Sequence, residues 1–318
     1  MDLFPSEEQR ELAAAARAVL AHREQVWRDG VAQGWLALGL EESAGGLGGA
    51  LADEAQLYAE IGAAAAAGPF LATSIGIRVA AAEGETGLAA GLAGGGAWAG
   101  LGFAQDSAAE PLVAYDVRGA SVLLLVDERA GTLRLVSVAE TAIVEDVSPL
   151  DPAVTAARVR LDGLPVLAET GGGGAARELS RAAVLVAAML AGISVAATDM
   201  SVEYARIREQ FGKPIGAFQA ISHRCAEMAI RSHAATAVTN LAAVSVDEDR
   251  PDARDRVAAA RRYTESAASA NARANIQNHG AIGFTWEHGA HRLLKRARFL
   301  ALSFLPRPEQ TAILAGSP

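Results

Sequence analysis

The sequence predicts an α+β chain in three consecutive parts: an N-terminal helical domain over residues 1–97, a small central antiparallel β-domain over 98–170 and a C-terminal helical bundle over 171–318. Three observations predict this order. Hydrophobic residues make up 51% of the chain and aromatics only 5%, because alanine carries most of the apolar count, and small side chains let helices pack closely. From about Trp98 the helical periodicity yields to short Val/Leu-rich runs broken by Gly, Asp and Arg, the pattern of strands joined by turns. After the glycine run in ETGGGGAA, long apolar helical patterns return. At 318 residues the chain is long enough for a sizeable core and for more than one domain.

The first element is a helix over 6–23, where Ser6 and Gln9 stand at capping-box spacing ahead of a helical pattern. GWLALGL predicts a second, short helical piece, and the glycines of EESAGGLGG end it. Helix resumes in ALADEAQLYAEIGAAAAAGPFLATSIGIRVAAAEG, with a break at Gly68-Pro69. In the central part, PLVAYDVRGASVLLLVDERAGTLRLVSVAETAIVEDV predicts antiparallel strands and AARVRLDGLPV one more. ETGGGGAA has the composition of a flexible hinge. Beyond it a long helix over 176–208, apolar around most of its circumference, predicts a buried bundle member. Further helices are expected over 218–246 and 254–276 and across EHGAHRLLKRARFLALSFL.

Composition also narrows the partners. A net charge of -9, with no Lys/Arg block interleaved with aromatics, argues against nucleic acid. The single cysteine, Cys225, excludes an internal disulfide and sits in a helical pattern as a small core residue. No uncharged apolar run of about 18 residues stands out, and the acidic start MDLFPSEEQ lacks the features of a secretory signal. The expectation is a cytoplasmic protein with no membrane span.

Two segments interrupt the helices of the last part. In REQFGKPIG a helix stops, and the next begins near Ala217 with free N–H groups suited to a phosphate. Arg208 adds a permanently charged planar fork able to hold a diphosphate, and Gln210 a neutral donor. Phe211 offers a flat face to a heteroaromatic ring, while Gly212 and Gly216 permit turns and close approach. In IQNHGAIGFTWEHGAH a helix ends at Gln277, Asn278 and His279, passes Gly280 and Gly283, and restarts at Thr285 and Glu287. Gln277 can donate and accept at once, and the backbone around Gly280 can hold an anionic oxygen. Each segment alone is equally well read as a helix terminus with a dipole-satisfying cation or a glycine cap.

Together, YARIREQFGKPIGAFQAISHRCAEMA and IQNHGAIGFTWEHGAHRLLKRA resemble the two C-terminal motifs of the acyl-CoA dehydrogenase family, in the same order and at a similar separation. GWLALGLEESAGGLGGALADEAQLYAEIGAAAAAGPF is similar to that family's first domain. The resemblance implies an acyl-CoA dehydrogenase-like fold whose last part is a four-helix bundle, and FAD at a subunit interface, the flavin ring on one subunit's middle domain and the ADP portion gripped by a neighbour's bundle. Carried over, Arg208, Gln210, Phe211, Phe218, Gln219, Gln277, Gly280 and Ala281 grip the ADP portion. Ala281 departs from the family's usual second glycine.

The resemblance also implies parts that this chain lacks. Most of the family carries a Glu-Gly-Thr base segment at the position of Phe304, and other members carry the base near Ala182; neither residue is an acid. Glu178, one turn from Ala182, is the nearest substitute, though a Glu in a first helical turn commonly serves the helix dipole. The flavin-cradling stretches of the middle domain are replaced by LGFAQDSAAEPLVAYD and ASVLLLVDE. The expectation is therefore a shortened subunit that lends the ADP grip to a full-length family partner carrying the base, in an α2β2 heterotetramer acting on an acyl-CoA thioester of steroid type. The alternatives are a self-sufficient homomeric dehydrogenase with Glu178 as base and a flavin-free structural or regulatory subunit. His288 and His291 are spaced for one helix face but lack an evident third metal ligand, and no nucleophile elbow is visible.

Overall fold

The computed structural model describes residues 4–22, 25–104 and 111–316. In chain order these form α1 (Glu7–Leu20), α2 (Val26–Ala32), α3 (Leu51–Ala63), α4 (Phe70–Ala82), α5 (Thr86–Ala93), β1 (Ala99–Phe103), β2 (Leu112–Tyr115), β3 (Val122–Asp127), β4 (Thr132–Ser137), β5 (Ile143–Val147), β6 (Ala156–Val159) and β7 (Val166–Gly171). There follow α6 (Gly172–Ile207), β8 (Glu209–Gln210), β9 (Lys213–Pro214), α7 (Gln219–Asp247), α8 (Ala253–His279), α9 (Ala290–Ala301) and α10 (Arg307–Leu314). The chain divides into two compact units, one of Met1–Ala21, Ala55–Ala66 and Ala183–Pro318, the other of His22–Glu54 and Ala67–Ala182.

The first unit is helical. Its α1 begins as the sequence predicts: the Ser6 hydroxyl accepts from the Gln9 N–H, and the Gln9 side chain accepts from the Ser6 N–H. Arg23, within the expected extent of this helix, lies outside the described residues. The abundance of small residues has a visible consequence where α3 meets α6. A Cβ on Gly62 would collide with the backbone of Met189, and one on Gly192 with the Ala59 carbonyl, so the two backbones approach at a distance only glycine allows.

By length and composition α6 is apolar enough to cross a membrane, contrary to the expectation that no stretch is. The uncharged run between Arg181 and Asp199 is responsible, and 78% of the apolar window is buried inside the molecule, as in the core helix of a bundle. The predicted last helix is shorter and later than expected. Gly289 stands before α9, and the backbone turns at Phe304 and Leu305, both with positive φ, before α10 begins beyond Pro306.

The second unit carries a seven-stranded sheet in the order β5-β6-β2-β1-β3-β4-β7. It is mixed rather than antiparallel throughout, because β1 and β3 run parallel, with Leu101 opposite Leu124. The cause is the short connection from β2 to β3, which crosses the start of β1. Asp116 (φ 48) and Gly119 (φ 74) turn it, and Trp98 holds it, its indole N–H donating to the Asp116 carbonyl at 3.0 Å. β3 is buried along almost its whole length, which explains its unbroken apolar run. AARVRLDGLPV, expected as one strand, is split by a turn at Gly163 (φ 75) into β6 and the start of β7. ETGGGGAA is not a hinge: β7 runs to Gly171 and α6 starts at Gly172, whose positive φ of 57 makes the change of direction in a single residue.

Candidate functional site

The REQFGKPIG segment folds into a tight hairpin at the end of α6. The Arg208 N–H still donates to Tyr204 O at 2.9 Å, and the Arg208 carbonyl accepts from Ile215 N at 2.8 Å, which closes the loop. Glu209 pairs with Pro214 and Gln210 with Lys213, leaving Phe211 and Gly212 at the turn with φ of 53 and 77. Two successive positive φ angles belong to a type I′ hairpin turn, natural for glycine and strained for a bulky residue. Yet Phe211 is 93% exposed. The turn thus holds an aromatic ring in solvent on a backbone conformation that bulky residues seldom adopt.

Around this tip, Arg208 is exposed and its guanidinium has no partner among the described residues. Gln210 donates to the Glu209 carbonyl at 2.8 Å. The Phe218 ring is flanked by the edge of Phe211, 6.1 Å between centroids, and by the Lys213 ammonium 4.5 Å from its centre. Gln219 is exposed at the start of α7, a helix of 29 residues with no side-chain cap, so its first N–H groups are open.

At the end of α8, Gln277 and Gly280 are exposed, Gly280 opens a short 3-10 turn, and Ala281 beside it is exposed too. Gly280 has φ 64 and ψ -140, a region reserved for glycine, although a Cβ there would meet nothing within 4 Å. The requirement is thus conformational, and it leaves the backbone bare. The chain does not restart a helix at Thr285 and Glu287 as expected. The 3-10 turn runs over Gly280–Phe284 and α9 begins only at Ala290. His288 and His291 therefore do not share a helix face: His288 packs against the His279 ring at 4.2 Å, and His291 against the Trp286 ring at 4.8 Å.

Contacts that the sequence reading missed bring the two segments to one end of the helical unit. Asn278, 5% exposed, donates to Ser201 Oγ at 2.6 Å on α6, and its Oδ1 accepts from Arg224 Nη1 at 2.6 Å on α7. Beside it, the His279 ring stacks on Tyr204, with centroids 4.2 Å apart. The His279 Nδ1 lies 2.8 Å from the Asn275 carbonyl; burial holds this imidazole below the usual histidine range against that hydrogen bond, and His288 adds to the effect. One signal was available in NARANIQN. Asn271, Asn275 and Asn278 recur at helical spacing, and the face they share is buried.

The positions expected for a catalytic base hold none. Phe304 is fully buried, and Arg261 locks its segment by donating to the carbonyls of Phe304 (3.1 Å), Ser303 (2.9 Å) and Leu300 (3.3 Å). Ala182 is fully buried too. Glu178 belongs to a cluster of two carboxylates and two guanidinium groups. Arg78 is 2.7 Å from Glu54 and 3.8 Å from Glu178, and Arg181 is 3.4 Å from Glu54. Burial pushes the Glu178 carboxyl above the usual carboxylate range, opposed by Arg78 and Arg181 and reinforced by Glu54. Of the two replaced flavin-cradling stretches, residues 105–110 lie outside the described residues, and ASVLLLVDE contains the buried strand β3.

Comparison with known proteins matches this architecture. Residues 170–303 fit the family model described as acyl-CoA dehydrogenase, C-terminal domain. The chain is 33% identical to acyl-CoA dehydrogenase IpdE2 of Mycobacterium tuberculosis, covering 89% of this chain and 85% of that one. It is also 33% identical to acyl-CoA dehydrogenase FadE34 of the same organism, over 89% of this chain but only 42% of FadE34, so it spans less than half of that relative. In fold it is similar to a glutaryl-coenzyme A dehydrogenase in complex with glutaryl-CoA (TM-score 0.86, 20% identity, 100% of this chain and 98% of the other). A variant of the Tcur3481-Tcur3483 steroid ACAD matches with TM-score 0.83 at 21% identity, over 98% of this chain and 97% of that chain. With the helical unit, the mixed sheet and both terminal motifs in place, the chain belongs to the acyl-CoA dehydrogenase family.

Proposed function

We propose that this chain is one subunit of an FAD-dependent acyl-CoA dehydrogenase, gripping the ADP portion of the cofactor while a full-length family partner carries the catalytic base, in an α2β2 assembly. One contrast carries the reading. Arg208, Gln210, Phe211, Gln219 and Gln277 are exposed, with the Arg208 guanidinium unpaired among the described residues, whereas the expected base position is filled by a fully buried phenyl ring at Phe304. The donor set fits a dinucleotide. Arg208 offers the diphosphate a bidentate fork, Gln210, Gln219 and Gln277 add amide donors, the open N-terminus of α7 adds backbone N–H groups, and Gly280 admits the ligand to bare backbone. Bound FAD supplies the acceptor for the hydride that leaves the β-carbon of the thioester. Glu178 stands 3.8 Å from Arg78, beside the Glu54 that Arg78 and Arg181 both face; in this reading the α-proton goes to a carboxylate of the partner.

Three features of the relatives support the heteromer. FadE34 joins its matching segment to more than an equal length of further sequence, as expected if such a unit works beside a second one. Two neighbours in fold are named as pairs, Tcur3481-Tcur3483, a steroid ACAD, and the ChsE4-ChsE5 complex of Mycobacterium tuberculosis. A steroid-type acyl-CoA thioester is accordingly the proposed substrate, and the cytoplasm the proposed location.

The test is co-expression with a full-length family member followed by flavin-to-chain stoichiometry. One FAD per pair of unlike chains is expected, and Arg208→Ala is expected to weaken FAD binding by about ten- to a hundredfold, because a hydrogen bond to a charged group contributes about 1.5–3 kcal/mol. Unchanged FAD content in Arg208→Ala would favour the flavin-free subunit. A lone chain that is yellow and oxidises acyl-CoA would favour the homomeric enzyme.

A further inference from the structure

We infer that Asn278 is a positioning residue for the cofactor grip, a single buried amide that sets the three helix ends carrying the grip residues in register. The inference rests on the reading above and concerns a residue that makes no contact with the ligand itself.

Three separate stretches of chain carry the grip. Arg208 and Gln210 follow the end of α6, Phe218 and Gln219 stand at the start of α7, and Gln277 and Gly280 lie at the end of α8. Helix ends fray and slide unless something fixes them, and a dinucleotide grip tolerates little displacement. Asn278 touches both other stretches at once. Its Nδ2 donates to Ser201 Oγ at 2.6 Å, two turns before Arg208, and lies 3.7 Å from Cys225 Sγ. Its Oδ1 accepts from Arg224 Nη1 at 2.6 Å, in the second turn of α7. Asn278 is flanked in sequence by Gln277, which faces solvent, and by His279, which is stacked on Tyr204. An amide is the side chain suited to this place, because it donates to one helix and accepts from the other. An apolar residue in its place would leave the Ser201 hydroxyl and the Arg224 guanidinium without their tie, and the start of α7 without this link to α8, with the Tyr204–His279 stack still joining α6 to α8.

Asn271 supplies the control. It lies two turns earlier on the same helix, fully buried, and its Nδ2 is within hydrogen-bond reach of Ser194, Ser232, Thr198 and the Met228 carbonyl. It is a comparable buried amide away from the grip.

The test measures FAD affinity by flavin fluorescence and thermal stability without FAD, both in the assembled complex. Asn278→Leu is expected to weaken FAD binding about tenfold or more beyond what its loss of stability accounts for. Asn278→Asp, which still accepts from Arg224 and from the Ser201 hydroxyl, is expected to stay within a few-fold of the native affinity. Asn271→Ala is expected to lower the melting temperature and leave the affinity intact. If Asn278→Leu binds FAD like the native chain while Arg208→Ala does not, the inference is overturned and the proposed function stands. Equal losses of affinity in Asn278→Leu and Asn271→Ala also overturn it, since that is what general destabilisation produces. If Arg208→Ala itself binds FAD normally, both fall together. Should Asn278→Leu fail to assemble, Ser201→Ala and Arg224→Met cut the ties one at a time, and native affinity in both overturns the inference.

Discussion

The Tyr204 ring lies against the His279 ring, centroids 4.2 Å apart and planes 25° from parallel, so the last turn of α6 and the last turn of α8 share one aromatic contact. Aromatic pairs contribute about 0.5–1.5 kcal/mol beyond burial. Tyr204→Leu, which keeps an apolar side chain and removes the stack, is expected to cost at least that much. Faster hydrogen exchange at Gly280–Phe284 should accompany it; unchanged exchange there would show that the stack does not hold the turn.

Acid is expected to destabilise the helical unit. Burial lowers the pKa of His279 and also of His291, where Lys295, Arg292 and His288 add to the effect. The folded state therefore binds fewer protons than the unfolded state below the unfolded histidine value of about 6.5. Stability from this source is complete above that value and is lost as pH falls through it towards the folded values. Melting temperatures should drop between pH 7.5 and 5.5, and His279→Phe should flatten part of the slope. A pH-independent melting curve would contradict the assignment.

The cluster of Glu54, Arg78, Arg181 and Glu178 should respond unequally to its two carboxylates. Glu54 is 2% exposed and faces both arginines, so Glu54→Gln takes a buried carboxylate from two ion pairs at once and is expected to cost about 3–5 kcal/mol. Glu178 sits farther from its partner, and its raised pKa shows that burial already works against its charge. Glu178→Gln, which removes a charge that burial already opposes, is expected to cost less than Glu54→Gln and to leave turnover of the proposed complex unchanged. Loss of turnover there would revive Glu178 as the base.

Glycine in a helix interior normally destabilises it by about 1 kcal/mol relative to alanine. At Gly192 the sign is expected to reverse, because the added methyl would run into the Ala59 carbonyl of α3. Overpacking of this kind costs about 1–3 kcal/mol and outweighs the propensity gain. Gly192→Ala should lower the melting temperature; a rise would mean that the α3–α6 approach relaxes easily.

Phe304 should prove structural. Removing a fully buried aromatic ring costs about 3–5 kcal/mol. Phe304→Ala is expected to lose that much in denaturant unfolding while FAD stoichiometry in the proposed complex stays the same, a result that separates this position from the proposed grip.

What the sequence by itself determined was local. Ser6 and Gln9 set the start of α1 through a bond between neighbours, the break at Gly68-Pro69 separates α3 from α4 by backbone chemistry, and REQFGKPIG interrupts the bundle because its turn needs Gly212. What only the tertiary structure decided depends on residues far apart in the chain. The parallel pairing of β1 with β3 comes from a connection held by Trp98, and the end of the glycine run as the start of α6 comes from β7 finding its place beside β4. The meeting of the ends of α6 and α8, beside which Arg208 and Gln277 lie in sequence, comes from Asn278 and the Tyr204–His279 stack. Spacing along a chain encodes which face a side chain takes on its own helix, but which other helix meets that face is settled only when all of them are packed.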